Sequence, residues 1–286
     1  MPHKVRIGAA VLFLVSFGLL YRDVLVKLVH DWATDGNYSH GFLIVPLAAY
    51  LVWERRAPIG AAAPRPSTFG LLLILGGAGL LLTGVLGAEL FLMRVSMLLV
   101  LTGAVLFIFG PTHLRIVAFP LAFLLLMIPL PAIVFNQIAL PLQLVASQFG
   151  ELMLSTLAIP VLREGNVLVL ANTSLQVAEA CSGIRSLISL LTLSILYGYF
   201  ADPRAAVRLI LAVVTIPVAI VANGLRVAGT GVAAHYYGAE AAEGFFHTFS
   251  GWLVFVVALG FLFVIHRLVR SVTPVGEVSS FQIAAG

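Results

Sequence analysis

The sequence has few charged residues and a single cysteine. Of its 286 residues, 10% are charged and 61% are hydrophobic. Soluble domains carry roughly a quarter charged residues, so this composition excludes a soluble globular domain. It also excludes intrinsic disorder, because disordered chains combine low hydrophobicity with high charge. The lone cysteine, Cys181, excludes a disulfide scaffold. A polytopic membrane protein remains, and the length suits about eight crossings of about 20 residues each.

Runs without charged residues define the predicted membrane helices, because charged side chains are rare inside a bilayer. The run at Ile116–Gly150 is too long for one crossing. Pro129 and Pro131 should end a helix near Met127, since proline lacks the N–H group and clashes with the preceding turn. The sequence therefore predicts an all-α integral membrane protein with a single transmembrane domain over residues 1–286. The eight crossings are expected at about residues 7–21, 39–53, 68–87, 93–109, 114–130, 182–200, 207–225 and 247–266.

The distribution of cations predicts the orientation of these crossings, because cytoplasmic loops carry an excess of Lys and Arg. With a cytoplasmic N-terminus, ten of the 16 cations fall on the cytoplasmic side: Lys4, Arg6, Arg55, Arg56, Arg65, Arg115, Arg204, Arg208, Arg267 and Arg270. Eight crossings then place both termini in the cytoplasm. No small-residue cleavage site precedes Tyr21, so the first helix is expected to stay uncleaved.

Residues 131–180 form the longest predicted exterior segment. Its first part carries polar residues near the helical period, at Gln137, Gln143, Ser147, Glu151 and Ser155. This pattern predicts an amphipathic helix that lies on or dips into the outer leaflet and is broken or kinked at Pro141. The alternative is one more crossing helix. Further along, β-branched runs on both sides of residues 171–174 predict a short β-hairpin just before the sixth crossing.

Three reactive residues from three separate elements fall at one predicted membrane depth. Cys181 precedes the sixth crossing, Arg226 ends the seventh and His247 begins the eighth. A helix N-terminus favours the thiolate of a cysteine, and Arg185 one turn on adds positive charge. Each residue also has a structural interpretation: a buried cysteine, an arginine that reaches the headgroups, and a histidine in an aromatic belt. Together the three residue types fit the parts of a nucleophile (Cys181), an electrostatic stabiliser (Arg226) and a base (His247).

Other polar residues near these three are candidates for supporting or substrate-binding parts. Asn223 lies one turn deeper in the membrane than Arg226, where an amide must find a partner. Glu179 is interpreted either as a residue that orients a catalytic partner or as a solvated charge. The complete supporting set is Arg185, Asn223, Glu179, Ser182 and His40.

A metal site is not expected from this sequence. His235, Glu240 and Glu243 lie in the predicted loop beside His247, and such side chains suit several divalent ions. However, they lack the spacing of HExxH or of a comparable motif. No metal and no other cofactor is therefore predicted.

The residues around Cys181 carry a family resemblance. The stretch Val177-Ala-Glu-Ala-Cys-Ser-Gly-Ile-Arg-Ser186 is the most specific, and the order Cys, Arg, His in successive elements adds to it. In these features the sequence resembles the exosortase/archaeosortase family, most closely the exosortase A type. The other stretches that carry the resemblance are residues 37–46 (Asn-Tyr-Ser-His-Gly-Phe-Leu-Ile-Val-Pro), 163–166 (Arg-Glu-Gly-Asn) and 223–227 (Asn-Gly-Leu-Arg-Val), together with His247.

The resemblance implies a multi-pass cysteine transpeptidase of the bacterial inner membrane. Its substrates would be exported proteins with a C-terminal Pro-Glu-Pro motif, then a transmembrane helix and a basic tail. Cys181 would be the nucleophile that forms a thioester, Arg226 the oxyanion or substrate stabiliser, and His247 the general acid and base, all on the periplasmic face. The expected partners are these sorting signals, the lipid bilayer and an unidentified acceptor, with no nucleic acid.

Two alternatives to this function remain at this stage. One is a non-catalytic transporter or lipid-binding subunit of an exopolysaccharide export system. Few ionisable residues fall at mid-membrane depth, which argues against a proton or ion route. The other alternative is a cysteine protease that hydrolyses its substrate without transfer, and nothing in the sequence separates it from a transpeptidase.

Overall fold

The structure is a computed structural model that describes residues 3–171, 173–177, 183–238 and 245–272. The chain divides into two compact units, Met1–Phe135 and Asn136–Gly286. The described part of the first unit contains helices α1 (His3–Leu20), α2 (Arg22–Thr34), α3 (Gly41–Glu54), α4 (Arg56–Ala61), α5 (Phe69–Leu86), α6 (Leu90–Ile108) and α7 (Pro111–Phe123), with a 3-10 turn at Leu124–Met127. Helix α8 (Ala132–Thr156) leads into the second unit. There follow strands β1 (Val161–Glu164), β2 (Val167–Leu170) and β3 (Ser174–Gln176), and helices α9 (Ile184–Ala201), α10 (Ala205–Tyr237) and α11 (Phe245–Val272).

Six of the described helices are long and apolar enough to cross a membrane. They are α5, α6, α8, α9, α10 and the Trp252–Ser271 part of α11. Three shorter apolar helical segments are Val11–Leu20, Gly41–Glu54 and Pro111–Met127. These nine segments include a helix at each of the eight predicted crossings, and the ninth is α8. A mostly helical membrane architecture is confirmed, whereas the number of crossings stays a prediction.

Glycines let α5 and α6 approach closely in the first unit. Gly70, Gly77 and Gly84 recur every seven residues on the buried face of α5. A Cβ atom at Gly70 would lie 2.4 Å from the backbone nitrogen of Phe107, and one at Gly77 would lie 2.5 Å from Cγ2 of Val100. Small residues at such a face allow two membrane helices to pack backbone against backbone.

The end of α7 confirms the prediction from the two prolines. The helical backbone ends with the 3-10 turn at Met127. Side chains from the α2–α3 region satisfy the polar groups freed there, as buried backbone groups require. Trp32 Nε1 donates to the carbonyl of Met127 at 2.9 Å, and His40 Nε2 donates to the carbonyl of Leu126 at 3.1 Å. The hydroxyl of Tyr38 accepts from the N–H of Leu130 at 3.3 Å.

Helix α8 differs from its prediction at Pro141. The helix runs through Pro141 from Ala132 to Thr156, so a break there is wrong, whereas the alternative of a kink stays a prediction. Its 25 residues extend about 37 Å, which is enough to cross a bilayer. The helix predicted in this segment is therefore present, and both of its interpretations, exterior and crossing, remain compatible with its length.

The predicted hairpin is part of a larger sheet. Strands β1, β2 and β3 form an antiparallel sheet in that order. Strands β2 and β3 end on either side of the segment expected to hold the turn, and the N–H of Leu170 donates to the carbonyl of Thr173 at 2.8 Å. Strand β1 was not predicted from the sequence; it pairs with β2 through a two-residue turn at Gly165 and Asn166. Gly165 has φ of +65° and Asn166 is not among the residues with positive φ, the pattern of a type II′ turn.

Candidate active site

The start of α9 contacts α10 through a glycine. Gly183 precedes the first residue of α9 with φ of +78°, a left-handed conformation that favours glycine. A Cβ atom at this position would lie 2.7 Å from Cγ and 2.9 Å from Nδ2 of Asn223. The backbone of Gly183 therefore lies directly against the buried side chain of Asn223. This contact fixes the point at which the chain enters α9 relative to α10.

Arg226 lies one turn after Asn223 on α10 and is half-buried. The same part of α10 packs closely on α8. A Cβ at Gly224 would lie 2.6 Å from Cδ1 of Phe149, and one at Gly150 would lie 2.9 Å from Cγ1 of Val227. Close packing on both sides of Arg226 therefore determines where its backbone sits in the second unit.

The strand that leads toward Cys181 is anchored at its end. Val177 is buried in an apolar cluster that includes Leu168, Leu170 and Val227. Its backbone N–H donates to the carbonyl of Asn166 at 2.8 Å, and its carbonyl accepts from Asn166 Nδ2 at 3.2 Å. Both polar backbone groups of Val177 are thus bonded to one residue of the β1–β2 turn.

The β1–β2 turn is in turn bound to α8. Asn166 Nδ2 donates to Gln143 Oε1 at 3.0 Å, and Ser147 Oγ donates to the carbonyl of Gly165 at 3.0 Å. Arg163 Nε donates to Glu151 Oε2 at 2.8 Å. Three members of the predicted polar stripe of α8 therefore bond to β1 and its turn rather than to headgroups. The Arg-Glu-Gly-Asn stretch at 163–166 includes the two turn residues. Its bonds to α8 give Arg163, Gly165 and Asn166 a structural reason to be present.

The segment that contains Cys181 is held on both sides. Cys181, Glu179 and Ser182 lie outside the described residues, which resume at Gly183. Val177 on one side belongs to the buried apolar cluster that also includes Val227 of α10, and Gly183 on the other side lies against Asn223 of the same helix. Only five residues separate these two anchors. One end of the segment therefore contacts α10 one turn before Arg226, and the other end shares a buried cluster with the residue that follows Arg226.

A narrow cleft adjoins the Gly183–Asn223 contact in the second unit. The cleft is lined by Leu142, Ala146, Gly183, Leu187, Ala219, Ile220 and Asn223. Asn223 provides the only polar side chain among these seven residues. A larger groove of about 480 Å³ lies between α10 and α11, and all ten residues that line it are apolar. The groove reaches Leu225, the residue next to Arg226.

The other predicted site residues are placed as follows. Arg185 is exposed in the first turn of α9, the position from which it was expected to act. His247 falls in the first turn of α11, and its side chain lies outside the described part of the structure. His40 belongs to the first unit, where its bond to the carbonyl of Leu126 gives it a structural part.

A metal centre has no support from the described residues. Within the ranges that the structure describes, no group of three or more His, Cys, Asp or Glu side chains is placed to hold a metal ion. His235 lies near the end of α10, whereas Glu240 and Glu243 lie outside the described residues.

Two residues that shape this region, Gly183 and Asn166, were assigned no part in the site from the sequence, although both lie in stretches that carry the family resemblance. The signal for Gly183 was a glycine directly before an apolar helix, two residues after Cys181. The signal for Asn166 was the Gly165–Asn166 pair, because Gly-Asn between two apolar runs is typical of a two-residue hairpin turn.

The chain is similar to a known protein family. A family model described as transmembrane exosortase matches residues 32–264. No curated protein and no solved structure matches the chain significantly. The matched range includes most of both units and every described element of the candidate site.

Proposed function

Because the chain belongs to the transmembrane exosortase family, we propose that it is a membrane-embedded cysteine peptidase and transpeptidase. Its substrates are exported proteins with a C-terminal Pro-Glu-Pro signal, then a transmembrane helix and a basic tail. We propose further that both units belong to one exosortase domain, since the family match extends across them.

The observation that carries this proposal is the double anchoring of the Cys181 segment. Gly183 contacts Asn223, and consecutive Cα atoms are 3.8 Å apart, so the Cα of Cys181 lies within about 7.6 Å of the Cα of Gly183. Arg226 is only one helical turn from Asn223. The covalent chain therefore limits how far the thiol can lie from the guanidinium, as a nucleophile and its electrostatic stabiliser require.

The proposed reaction begins with attack of the Cys181 thiolate on the scissile carbonyl near the motif. Positive charge from the N-terminus of α9 and from Arg185 favours the thiolate. Arg226 stabilises the oxyanion or binds the glutamate of the motif. His247 protonates the leaving amine as the C–N bond breaks, which leaves a thioester on Cys181. His247 then takes the proton of the acceptor or of water as that nucleophile attacks the thioester and releases the thiolate.

Asn223 acts as a positioning residue in this proposal. Its side chain contacts the backbone of Gly183, so it fixes the entry of the Cys181 segment into α9. Glu179 and Ser182 flank the cysteine and are proposed to assist in binding the substrate. For His40, the bond to the Leu126 carbonyl favours a structural part instead.

The apolar groove between α10 and α11 offers a surface for the transmembrane helix of the substrate. It reaches Leu225 beside Arg226, and Ala222 and Ala258 are small residues within it. Small residues allow a second helix to approach closely within a bilayer. A helix in this groove would leave the preceding Pro-Glu-Pro segment at the level of Arg226.

We propose that the protein lies in the bacterial inner membrane, with both termini in the cytoplasm and the site on the periplasmic face. The cations support this orientation and also bear on α8. If α8 crossed the membrane fully, Arg204, Arg208, Arg267 and Arg270 would lie on the opposite side from Arg55, Arg56, Arg65 and Arg115. The cation excess of cytoplasmic loops therefore favours α8 as an exterior element.

The test is co-expression with a tagged reporter that ends in Pro-Glu-Pro, an apolar helix and an arginine tail. The wild-type protein should shorten the reporter on an immunoblot, and Cys181→Ala should not. Cys181→Ser is the matched control for size, because its hydroxyl is a far weaker nucleophile at neutral pH. Mass spectrometry of the new C-terminus separates transfer from hydrolysis. A shift that survives Cys181→Ala would disprove the assigned nucleophile.

Replacement of Arg226 tests the part played by its planar guanidinium. Arg226→Lys keeps the charge and loses the two-pronged donor geometry, so processing should fall at least tenfold. Arg226→Gln removes the charge as well and should be no better. The rate of reporter processing is measured at matched protein levels. Near-normal processing by Arg226→Lys would mean that the charge alone matters.

A further inference from the structure

A network of charged side chains joins α9, α10 and α11 at the ends remote from the Gly183–Asn223 contact. Its centre is Asp202, which follows α9 and is fully buried. Arg204 donates from Nε to Oδ1 at 2.9 Å and from Nη2 to Oδ2 at 2.8 Å. Arg208 Nε donates to the backbone carbonyl of Asp202 at 2.7 Å. Arg270 of α11 lies with Nε 3.9 Å from Oδ2.

Two further residues support Asp202 from inside the helix bundle of the second unit. His266 of α11 is buried, and its Nε2 lies 3.5 Å from Oδ2 of Asp202. The hydroxyl of Tyr197 lies 2.7 Å from the other ring nitrogen of His266, Nδ1. Side chains from the start of α10 and from α11 thus lie at the carboxylate, which itself follows α9, so Asp202 links the ends of three helices.

The cluster carries more positive than negative charge. Four arginines, Arg204, Arg208, Arg267 and Arg270, surround one described carboxylate, which gives a formal charge of +3 within this set. Arg267 and Arg270 are exposed. The guanidinium of Arg208 lies 5.1 Å from the ring centroid of Tyr199, and that of Arg267 lies 5.7 Å from the ring of Phe263. Contacts with aromatic rings at this level orient the cations.

The backbone of α10 adds to the positive electrostatic potential of this cluster. Helix α10 begins at Ala205, directly after Arg204, so the positive end of its dipole faces this cluster. Exposed apolar side chains continue from the cluster along the lipid-facing surface, among them Leu209 on α10 and Phe263 on α11. A surplus of fixed positive charge above an apolar helix surface matches the two parts of a phospholipid, an anionic headgroup and its acyl chains.

We propose that this cluster is a binding site for an anionic glycerophospholipid in the leaflet opposite the candidate active site. The phosphate binds to the exposed guanidinium groups, which present paired donors that match phosphate oxygens. Basic sites between helix ends at a membrane surface suit such headgroups, and a lipid with two phosphates suits a charge of +3 best. The proposal is independent of the catalytic function.

Thermal unfolding of the full-length protein in detergent tests the site. The probes are cardiolipin, phosphatidylcholine and inorganic phosphate, each titrated separately. The variant is Arg267→Gln with Arg270→Gln, two exposed positions where loss of folding is not expected. The matched control is Arg65→Gln with Arg115→Gln, which removes the same charge from two exposed positions in the first unit.

Cardiolipin should raise the unfolding temperature of the wild-type and control proteins with the same half-saturating concentration. The Arg267→Gln, Arg270→Gln variant should need at least tenfold more cardiolipin for the same shift. Phosphatidylcholine should give no comparable shift. Equal behaviour of the two double variants would overturn the proposal, because charge anywhere on the protein would then suffice. A shift by inorganic phosphate as large as that by cardiolipin would overturn the lipid as the ligand.

Discussion

Two helix pairs in this protein are built in opposite ways. Helices α5 and α6 of the first unit meet backbone to backbone, and Gly70 faces Gly103 at a distance that leaves no room for a Cβ atom on either. Helices α9 and α10 of the second unit are instead joined by contacts at the two ends of α9. One end has Gly183 against Asn223, and the other has the Asp202–Arg204 pair.

The first pair is built for close packing, whereas the second pair carries polar side chains that could take part in chemistry. The α5–α6 interface buries glycines along the length of α5, so we expect this pair of helices to be rigid. The α9–α10 pair has polar contacts at both ends of α9, Gly183 with Asn223 at one and Asp202 with Arg204 at the other, where a peptide or a headgroup would reach them at low desolvation cost. Substitutions should therefore damage stability most in the first pair, and damage function out of proportion to stability in the second.

Gly70→Ala tests the backbone contact of α5 with α6 and should have the largest effect on stability. The new Cβ would lie 2.4 Å from the backbone nitrogen of Phe107, which cannot move aside as a side chain can. Overpacking of this kind should cost about 3 kcal/mol of unfolding free energy. Unfolding in detergent measures it. Gly79→Ala, in the same helix with open space around it, should be neutral or slightly stabilising. Equal losses in the two variants would contradict the close contact.

Asp202→Asn tests the charged end of the second pair and should have the next largest effect. The amide cannot accept from Arg204 at both positions, and four arginines then repel one another without their carboxylate. We expect the unfolding temperature to fall by several degrees. Glu164→Gln, which removes an exposed carboxylate, is the control and should change little. An unchanged unfolding temperature for Asp202→Asn would mean that the network does not hold the three helices.

Gly183→Ala tests the other end of the same pair. A non-glycine residue in the left-handed conformation costs about 1–2 kcal/mol, and the side chain of Asn223 must also shift. The stability loss should be modest, whereas reporter processing should fall at least tenfold because the Cys181 segment is displaced. Gly229→Ala on α10, where nothing lies within 4 Å, should leave both properties intact. Full processing by Gly183→Ala would remove this contact from the site.

The smallest expected effect is that of pH on the stability that Asp202 contributes. Hydrogen bonds from Arg204 hold the pKa of Asp202 well below its ordinary value of 3.8. A carboxylate whose pKa is depressed by folding contributes its stability fully above the unfolded pKa and loses it as the pH falls toward the folded pKa. The difference in unfolding temperature between wild type and Asp202→Asn should therefore be constant from pH 5 to 8 and should narrow below about pH 4. A difference that narrows already near pH 6 would indicate another titrating group.

The membrane helices were the most predictable part of this fold. Charge-free runs located them, and Pro129 and Pro131 correctly predicted the end near Met127 because proline acts locally. Helix α2 lay hidden between crossings, since Lys27 and Asp31 interrupt its apolar residues. Strand β1 was missed because it has only four residues, two of them charged. Local signals thus failed where a short element is stabilised mainly by its neighbours.

The candidate site was predictable in its residue types more than in its supports. Spacing along α10 placed Asn223 one turn from Arg226, but nothing in the sequence showed that Asn223 meets Gly183. The helical period of Gln143, Ser147 and Glu151 correctly indicated a polar face. It did not indicate that β1 and its turn cover that face, because periodicity identifies a face without its partner. The approach of Cys181 to His247 stays a prediction.

The length of helix α9 is fixed by the residues at its two ends. Gly183 at one end has φ of +78°, and Asp202 at the other is extended with φ of −142°, so neither end can add a helical residue without loss of its tertiary contact. The 18 residues between them rise about 27 Å, slightly less than the hydrocarbon thickness of an ordinary bilayer, about 30 Å. The lipid, rather than the helix, must then adjust to any mismatch. A difference between the membrane thickness and the length of α9 would therefore strain the two ends of α9, including the backbone next to Cys181.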